Sequence, residues 1–137
     1  TLTTSFKVEL LQGVHNFGPT SPDTFKIALY SSSASIGADT TVYTTTGEIS
    51  GTGYTAGGKT LTITTAPASS GTTAYVNFDS ISWAGASFTT AGALIYNSTE
   101  GNKAVAVLNF GNNKVASGTF TITFPSASAT TAIIRVA

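Results

Sequence analysis

The stretch Thr119-Phe-Thr-Ile-Thr-Phe124 decides the fold class, because apolar and polar residues alternate along it without interruption. A period of two places Phe120, Ile122 and Phe124 on one face of an extended strand and the threonines on the other face. A strand of this kind buries one side and leaves the other in solvent. The stretch therefore predicts a half-buried strand of an antiparallel sheet.

Similar segments recur along most of the chain, separated by Gly, Ser, Asn and Pro residues. The clearest are residues 25–30, 59–65, 74–79, 91–97, 104–110 and 132–137. Weaker candidates are residues 42–45, 48–49 and 81–83, and residues 111–118 are expected to form a turn. About seven or eight short strands without a βαβ alternation predict a mainly β fold, either an antiparallel β-sandwich or a barrel.

The N-terminal segment has a different period. Its apolar residues recur at spacings close to 3.6, and they are Phe6, Leu10, Leu11 and Val14. This stripe predicts a short amphipathic helix over residues 4–13, with Ser5 as its N-cap and Gly18-Pro19 as its stop signal. The β body follows over residues 24–137, so we expect residues 1–137 to form a single β domain.

The composition limits the classes of function. The chain has six basic and six acidic residues, one histidine and no cysteine or methionine, whereas Ser and Thr occupy 42 of its 137 positions. The formal net charge is zero and the basic residues are scattered, which argues against nucleic acid as a partner. Neither a polybasic patch nor an apolar run of roughly 18 residues is present, so we expect no membrane partner.

The small number of charged, histidine and cysteine residues also argues against catalysis. His15 is the single histidine, so a Ser–His–Asp triad would need it, and its position after the helix favours a role in capping carbonyls or balancing the helix dipole. No two carboxylates share a motif, and no cluster has metal-ligand spacing. We therefore expect no enzyme, no catalytic or metal-binding residue and no cofactor. A carboxylate pair assembled by the fold, or a calcium ion held by backbone carbonyls, stays open.

Three motifs indicate more specific alternatives. Gly53-x4-Gly58-Lys59-Thr60 matches a phosphate-binding loop in form, but a strand rather than a helix is predicted after it. Asn97-Ser98-Thr99 matches a glycosylation sequon, which we interpret as an ordinary turn. A carbohydrate-binding surface would need exposed aromatic rings, and the candidates are Tyr30, Tyr43, Tyr54, Tyr75, Trp83 and Tyr96.

Several segments together carry a resemblance to a known family. They are Phe-Lys-Ile-Ala-Leu-Tyr from residue 25, the glycine-rich run over residues 47–61, Gly-Ala-Leu-Ile-Tyr-Asn from residue 92, Ala-Val-Ala-Val-Leu-Asn-Phe-Gly from residue 104, and the closing residues 124–137. With them the chain resembles small virion structural proteins of tailed bacteriophages, which are encoded among head and tail genes. The resemblance covers nearly the whole chain, and the glycine-rich run is its most specific part.

The resemblance implies a non-enzymatic virion component. We expect a capsid decoration (cement) protein that bridges and stabilises major capsid proteins, with those or other virion proteins as partners and a homo-oligomeric state. Two candidate interfaces are the helix stripe and a C-terminal strand that adds to a neighbour's sheet: Phe6, Leu10, Leu11 and Val14, and Ile133, Ile134 and Val136. The alternative for each is packing within its own domain. Alternative functions are a neck or tail protein, or a carbohydrate-binding β-sandwich module.

Overall fold

The computed structural model describes all 137 residues and contains one helix and seven strands. They are α1 (Thr4–Leu11), β1 (Phe25–Tyr30), β2 (Lys59–Thr60), β3 (Ile63–Ser70), β4 (Thr73–Phe78), β5 (Ile81–Asn97), β6 (Lys103–Ile122) and β7 (Ile134–Val136). The strands form two antiparallel sheets, with the orders β2-β1-β5-β6 and β3-β4-β7. The predicted mainly β fold is confirmed as a β-sandwich and not a closed barrel.

β1 lies inside the four-stranded sheet and is buried on both faces. Three of its side chains face the main core between the sheets: Phe25, Ile27 and Leu29. Ala28 and Tyr30 face the opposite way, into a smaller apolar cluster with Leu94 and Tyr96 of β5. The predicted alternation is correct, and the second face is buried because the long connection after β1 packs over it.

The two longest strands, β5 and β6, form a ribbon that extends beyond the rest of their sheet. β1 pairs only with residues 92–97 of β5, so residues 81–90 of β5 pair with residues 114–122 of β6 and otherwise form one isolated bridge, between Ser87 and Thr52. The predicted turn at residues 111–118 is wrong, because pairing is broken only where residues 110–113 bulge out, and it resumes at Lys114. The glycines and asparagines of residues 111–118 suggested a turn, but only residues 110–113 leave the pairing with β5.

Residues 59–65, predicted as one strand, are divided between the two sheets. Lys59 and Thr60 pair with β1, and Ile63 begins β3 in the opposite sheet. Leu61 lies between them and is buried in the core, where its N–H donates to the carbonyl of Phe25 at 2.8 Å. Alternation therefore identified the extended backbone but not the change of sheet. The weak candidates at residues 42–45 and 48–49 form only isolated bridges.

The glycine-rich run lies directly against the backbone of the four-stranded sheet. Gly53 has φ +87°, and a Cβ there would stand 2.8 Å from the carbonyl oxygen of Gly85. Gly58 has φ +78°, and a Cβ there would stand 1.7 Å from the carbonyl oxygen of Ile27. At both positions the close approach of two backbones and a left-handed conformation require glycine.

The helix is capped two residues earlier and ends sooner than predicted. Thr3, rather than Ser5, is the N-cap, and its Oγ1 accepts a hydrogen bond from the N–H of Phe6 at 3.2 Å. The helix ends at Leu11, and Gly13 follows with φ +74°, as expected of a residue that terminates a helix. No helix of the structure has the length and apolar character needed to cross a membrane.

Candidate functional site

Glu48 is the centre of a hydrogen-bond network beside β1, where it forms an isolated bridge with Tyr30. Its Oε1 accepts from the hydroxyl of Tyr43 at 2.6 Å, and its Oε2 accepts from the hydroxyl of Tyr54 at 2.5 Å and from the N–H of Gly57 at 2.8 Å. The Tyr54 hydroxyl also accepts from the N–H of Leu29 in β1 at 3.0 Å. One carboxylate thus joins three points of the connection between β1 and β2 to each other and to the sheet.

Two tyrosines of the sheet extend this network. Tyr96 donates to the carbonyl of Gly57 at 2.6 Å, and Tyr30 donates to the carbonyl of Thr44 at 2.5 Å. The ring of Tyr43 stacks on that of Tyr96, with centroids 4.7 Å apart and planes 23° from parallel. Residues 31–58 therefore have no regular secondary structure but are fastened to the sheet by hydrogen bonds and ring contacts.

The network suppresses the ionisation of its tyrosines. Burial raises the pKa of Tyr30, Tyr43, Tyr54 and Tyr96, because a phenolate loses hydration there. Glu48 raises the pKa of all four further, since a second negative charge beside it is unfavourable. The hydroxyls thus stay protonated and continue to donate their hydrogen bonds.

We expect the free energy of unfolding to fall as the pH rises above about 10, where tyrosines of the unfolded chain lose their protons. The folded tyrosines keep theirs, so deprotonation stabilises the unfolded state and the loss grows with pH. Urea unfolding at a series of pH values, with the ultraviolet absorbance of tyrosinate as a second signal, measures the effect. Tyr96→Phe removes one such group and should make the decline shallower. A decline that is equally steep in the variant would contradict this origin.

His15 belongs to a second network and not to the helix cap that was predicted. Its side chain is fully buried, and its ring centroid lies 4.9 Å from that of Phe6. Nε2 lies 3.0 Å from Oε1 of Glu9, and Nδ1 lies 3.0 Å from Nδ2 of Asn97. Both ring nitrogens have side-chain partners, so neither contacts a helix carbonyl or solvent.

Asn97 determines which nitrogen of His15 carries the proton. Its Oδ1 accepts from the N–H groups of Thr99 and Glu100, at 3.1 and 3.3 Å, so its Nδ2 donates to Oδ2 of Asp23 at 2.8 Å and to Nδ1 of His15. Nδ1 is therefore an acceptor, and Nε2–H donates to the glutamate. The sequon forms a turn as expected, and the Asn97 amide is buried and fully used in holding residues 14–23 against β5.

The predicted helix interface is only partly on the surface. Phe6 is buried in the protein's own core and Leu10 packs against that core, which corrects their assignment to an interface. Val14 is half-buried. Leu11 is 91% exposed, and Val8, which the stripe did not include, is 51% exposed. Spacing alone predicts the stripe, whereas Leu11, the last residue of α1, has its side chain in solvent.

The predicted C-terminal interface lies in the three-stranded sheet. Ile134 is buried and pairs with Val76 of β4, so its assignment to an interface is also corrected. Ile133 is half-buried, and its N–H donates to Oδ1 of Asn77 at 3.2 Å. Val136 is half-exposed at the outer edge of the sheet. The strand pairs within its own chain on one side and is open on the other.

Of the six aromatic side chains that were candidates for a sugar-binding surface, three are buried and three are partly exposed. Trp83, Tyr30 and Tyr96 are almost completely buried. Lys59, the lysine of the phosphate-loop match, donates to the carbonyl of Ser82 at 2.5 Å, and its Nζ lies 5.9 Å from the centroid of the Trp83 ring. A strand follows this lysine, as predicted, so the helix that a phosphate-binding loop requires is not formed.

A cleft of about 740 Å³ lies beside the bulge of β6 and is lined by small, amide and aliphatic side chains. Ser31, Ser32, Asn109, Asn112 and Asn113 supply its polar groups. No group of three or more His, Asp or Glu side chains has an arrangement that could hold a metal ion. Comparison of the chain with protein-family models, with curated proteins and with solved structures finds no match.

Sequence reasoning did not anticipate the two polar networks. Glu48 is the only carboxylate between Asp39 and Asp79, and it lies at the start of the glycine-rich run, close to Tyr43 and Tyr54. An isolated charge in such a run was the available signal. Asn97 carried no comparable signal, because its partners come from an N-terminal segment that sequence spacing cannot relate to β5.

Proposed function

We propose that this protein is a structural component of a bacteriophage virion, a capsid decoration protein that bridges and stabilises neighbouring major capsid proteins. The proposal starts from the resemblance of the glycine-rich run and the strand segments to small virion proteins of tailed phages. The structure gives this run a definite role, because its glycines allow close backbone contact and Glu48 fastens it to the sheet. The glycine-rich run, which is the most specific part of the resemblance, is thus also needed for the fold.

The observation that carries the proposal is the use made of the chain's few polar groups. Glu48, Glu9, His15 and Asp23 all hydrogen-bond to other side chains of the protein and hold irregular connections against the sandwich. A structural component of a particle needs such fixed connections, since its surface must keep the same shape through assembly. The side chains that reach solvent are mostly Ser and Thr, with isolated apolar residues such as Leu11 and Val136 as remaining interface candidates.

Two alternatives differ in how well the geometry supports them. The same observations support a neck or tail component, which differs from a decoration protein only in its location in the particle. A carbohydrate-binding module needs exposed rings, and the burial of Trp83, Tyr30 and Tyr96 disfavours it. The decoration protein is therefore the leading proposal and the neck or tail component the second.

The number of copies per particle tests this function. We expect purified particles of the phage that encodes the chain to contain it at on the order of hundreds of copies, as the repeated symmetry of a shell requires. Quantitative mass spectrometry against the major capsid protein, with cryo-electron microscopy to locate the density, measures this. About six or twelve copies would instead support the neck or tail. Absence of the chain from the particle would refute both.

A further inference from the structure

The two open sheets have four edge strands, and three of them are poorly suited to pairing with another chain. β2 has two residues and β7 has three, including the charged Arg135. β3 contains Pro67 and two register shifts. Short length, charge, proline and irregular register are the usual protections of a sheet edge. The fourth edge strand, β6, has 20 residues and no proline. Its pairing with β5 also shifts register, but only one of those shifts, between Gly118 and Phe120, falls within residues 114–122.

The first half of the β6 edge is already covered by the protein itself. The Thr1 amino group donates to the carbonyl of Val107 at 2.9 Å, and the N–H of Val107 donates to the carbonyl of Thr1 at 2.8 Å. The N–H of Thr3 donates to the carbonyl of Val105 at 3.0 Å. An extended segment thus pairs with this edge in antiparallel fashion, which shows that the edge has the geometry to accept one.

The second half, residues 114–122, pairs with β5 on one side and has no strand on the other. The outward face of this part of the ribbon carries no charged side chain: Ser82, Ser87, Thr89, Val115, Ser117, Thr119 and Thr121. Val115 is 76% exposed. Lys114 is the single charge in the nine edge residues, so this edge lacks the charges that normally keep exposed strands apart.

We propose that residues 114–122 of β6 pair with the same residues of a second copy, in an antiparallel and two-fold symmetric dimer with one continuous sheet. An antiparallel strand is complementary to itself about a two-fold axis, so a second copy satisfies the open edge without any other component. The inference does not depend on the proposed function.

The composition of the edge favours a register centred near Gly118. There the small Ala116 would lie opposite the half-exposed Phe120 of the second copy, and Ser117 would lie opposite Thr119 of that copy. The two Lys114 residues would be separated by about 27 Å, eight residues along the strands, so like charges do not oppose pairing. In this register small side chains lie opposite large ones and the like charges are far apart, as a self-complementary edge requires.

The dimer is expected to be weak. Nine residues span about 30 Å, so one strand pair buries less than the roughly 800 Å² per partner of a standard interface. We expect a dissociation constant on the order of 10–100 μM, and sedimentation velocity at concentrations up to about 1 mM should show a monomer–dimer equilibrium. A chain that stays monomeric over this range would overturn the proposal and leave the edge to a segment of a different protein.

Charge at the edge tests the location of the interface. Ser117→Lys with Thr119→Lys places four lysines together across the two-fold axis and should abolish the dimer. The matched control is Ser87→Lys with Thr89→Lys, which adds the same charges to the same face on the inner strand and should weaken dimerisation far less. Circular dichroism checks that both variants fold. Dimers that persist unchanged in the edge variant would assign the interface to another surface.

Cysteine cross-linking tests the register, since the chain contains no cysteine. Ser117→Cys and Thr119→Cys proteins, mixed and oxidised, should form a disulfide between different variants, because opposite residues have Cα atoms about 5 Å apart. Each variant alone should cross-link less efficiently. A Ser70→Cys protein, with its cysteine in the β3–β4 hairpin, should remain uncross-linked. Equal cross-linking of all mixtures would contradict the register. The copy number in the particle is a separate measurement, so the dimer and the virion role can fail independently.

Discussion

Gly58→Ala is expected to prevent stable folding, with a loss of at least about 4 kcal/mol of unfolding free energy. A Cβ at this position would stand 1.7 Å from the carbonyl oxygen of Ile27 and 2.6 Å from its carbonyl carbon. Both atoms belong to the backbone of β1, which pairs with β5 along its whole length on the side away from Gly58. A loss of this size is a large part of the roughly 5–15 kcal/mol that stabilises a typical domain.

A second glycine separates the steric effect from the backbone conformation. Gly71 in the β3–β4 hairpin also has a positive φ, +61°, but a Cβ there would meet nothing within 4 Å. Gly71→Ala should therefore cost only the torsional strain of about 1–2 kcal/mol. Urea unfolding followed by circular dichroism measures both variants. Equal losses in the two would show that the contact with Ile27 is relieved by a small shift of the chain.

Glu48→Ala is expected to lower the unfolding free energy by about 3 kcal/mol, because three donors lose their acceptor at once. The hydroxyls of Tyr43 and Tyr54 and the N–H of Gly57 all point at this carboxylate. Each unpaired buried donor costs about 1–3 kcal/mol, and water entering the partly exposed site offsets a portion of this. The effect should be local as well as global, with faster amide hydrogen exchange over residues 43–57.

Two variants control for the loss of a carboxylate. Glu48→Gln keeps one acceptor oxygen and should lose less stability than the alanine variant. Glu100→Ala removes a half-buried glutamate whose side chain makes no hydrogen bond, so it should change stability by less than about 0.5 kcal/mol. Faster exchange that is spread evenly over the protein, rather than concentrated in residues 43–57, would contradict a role for Glu48 in fastening this connection.

Strand character was predictable where burial follows local alternation. β1 alternates between two apolar faces, and both the strand and the orientation of its side chains follow from six residues. Residues 111–118 contain two glycines and two asparagines, and their strand character depends on pairing with β5, which no local pattern records. Their extended backbone is a consequence of the partner strand.

The polar networks were less predictable, because they join residues distant in sequence. His15 and Asn97 are 82 positions apart, and the imidazole's partners follow from the docking of residues 14–23 on the end of β5. Sequence context around His15 offered only the nearby helix as a partner. Glu48 was visible as a lone charge, but its partners Tyr43 and Tyr54 lie in the same irregular connection, where no periodic pattern relates them to the carboxylate.

The pairing of Thr1–Thr3 with β6 has a consequence for how the chain acquires its structure. The Thr3 hydroxyl, which caps the helix, also lies 3.4 Å from the carbonyl oxygen of Ala104, 101 positions later. An eight-residue helix is too short to persist alone, so α1 cannot be stable on the ribosome until β6 has been synthesised. The segment that contains α1 thus becomes ordered only after the distant β6 has formed, and closure of so long a loop predicts slow folding.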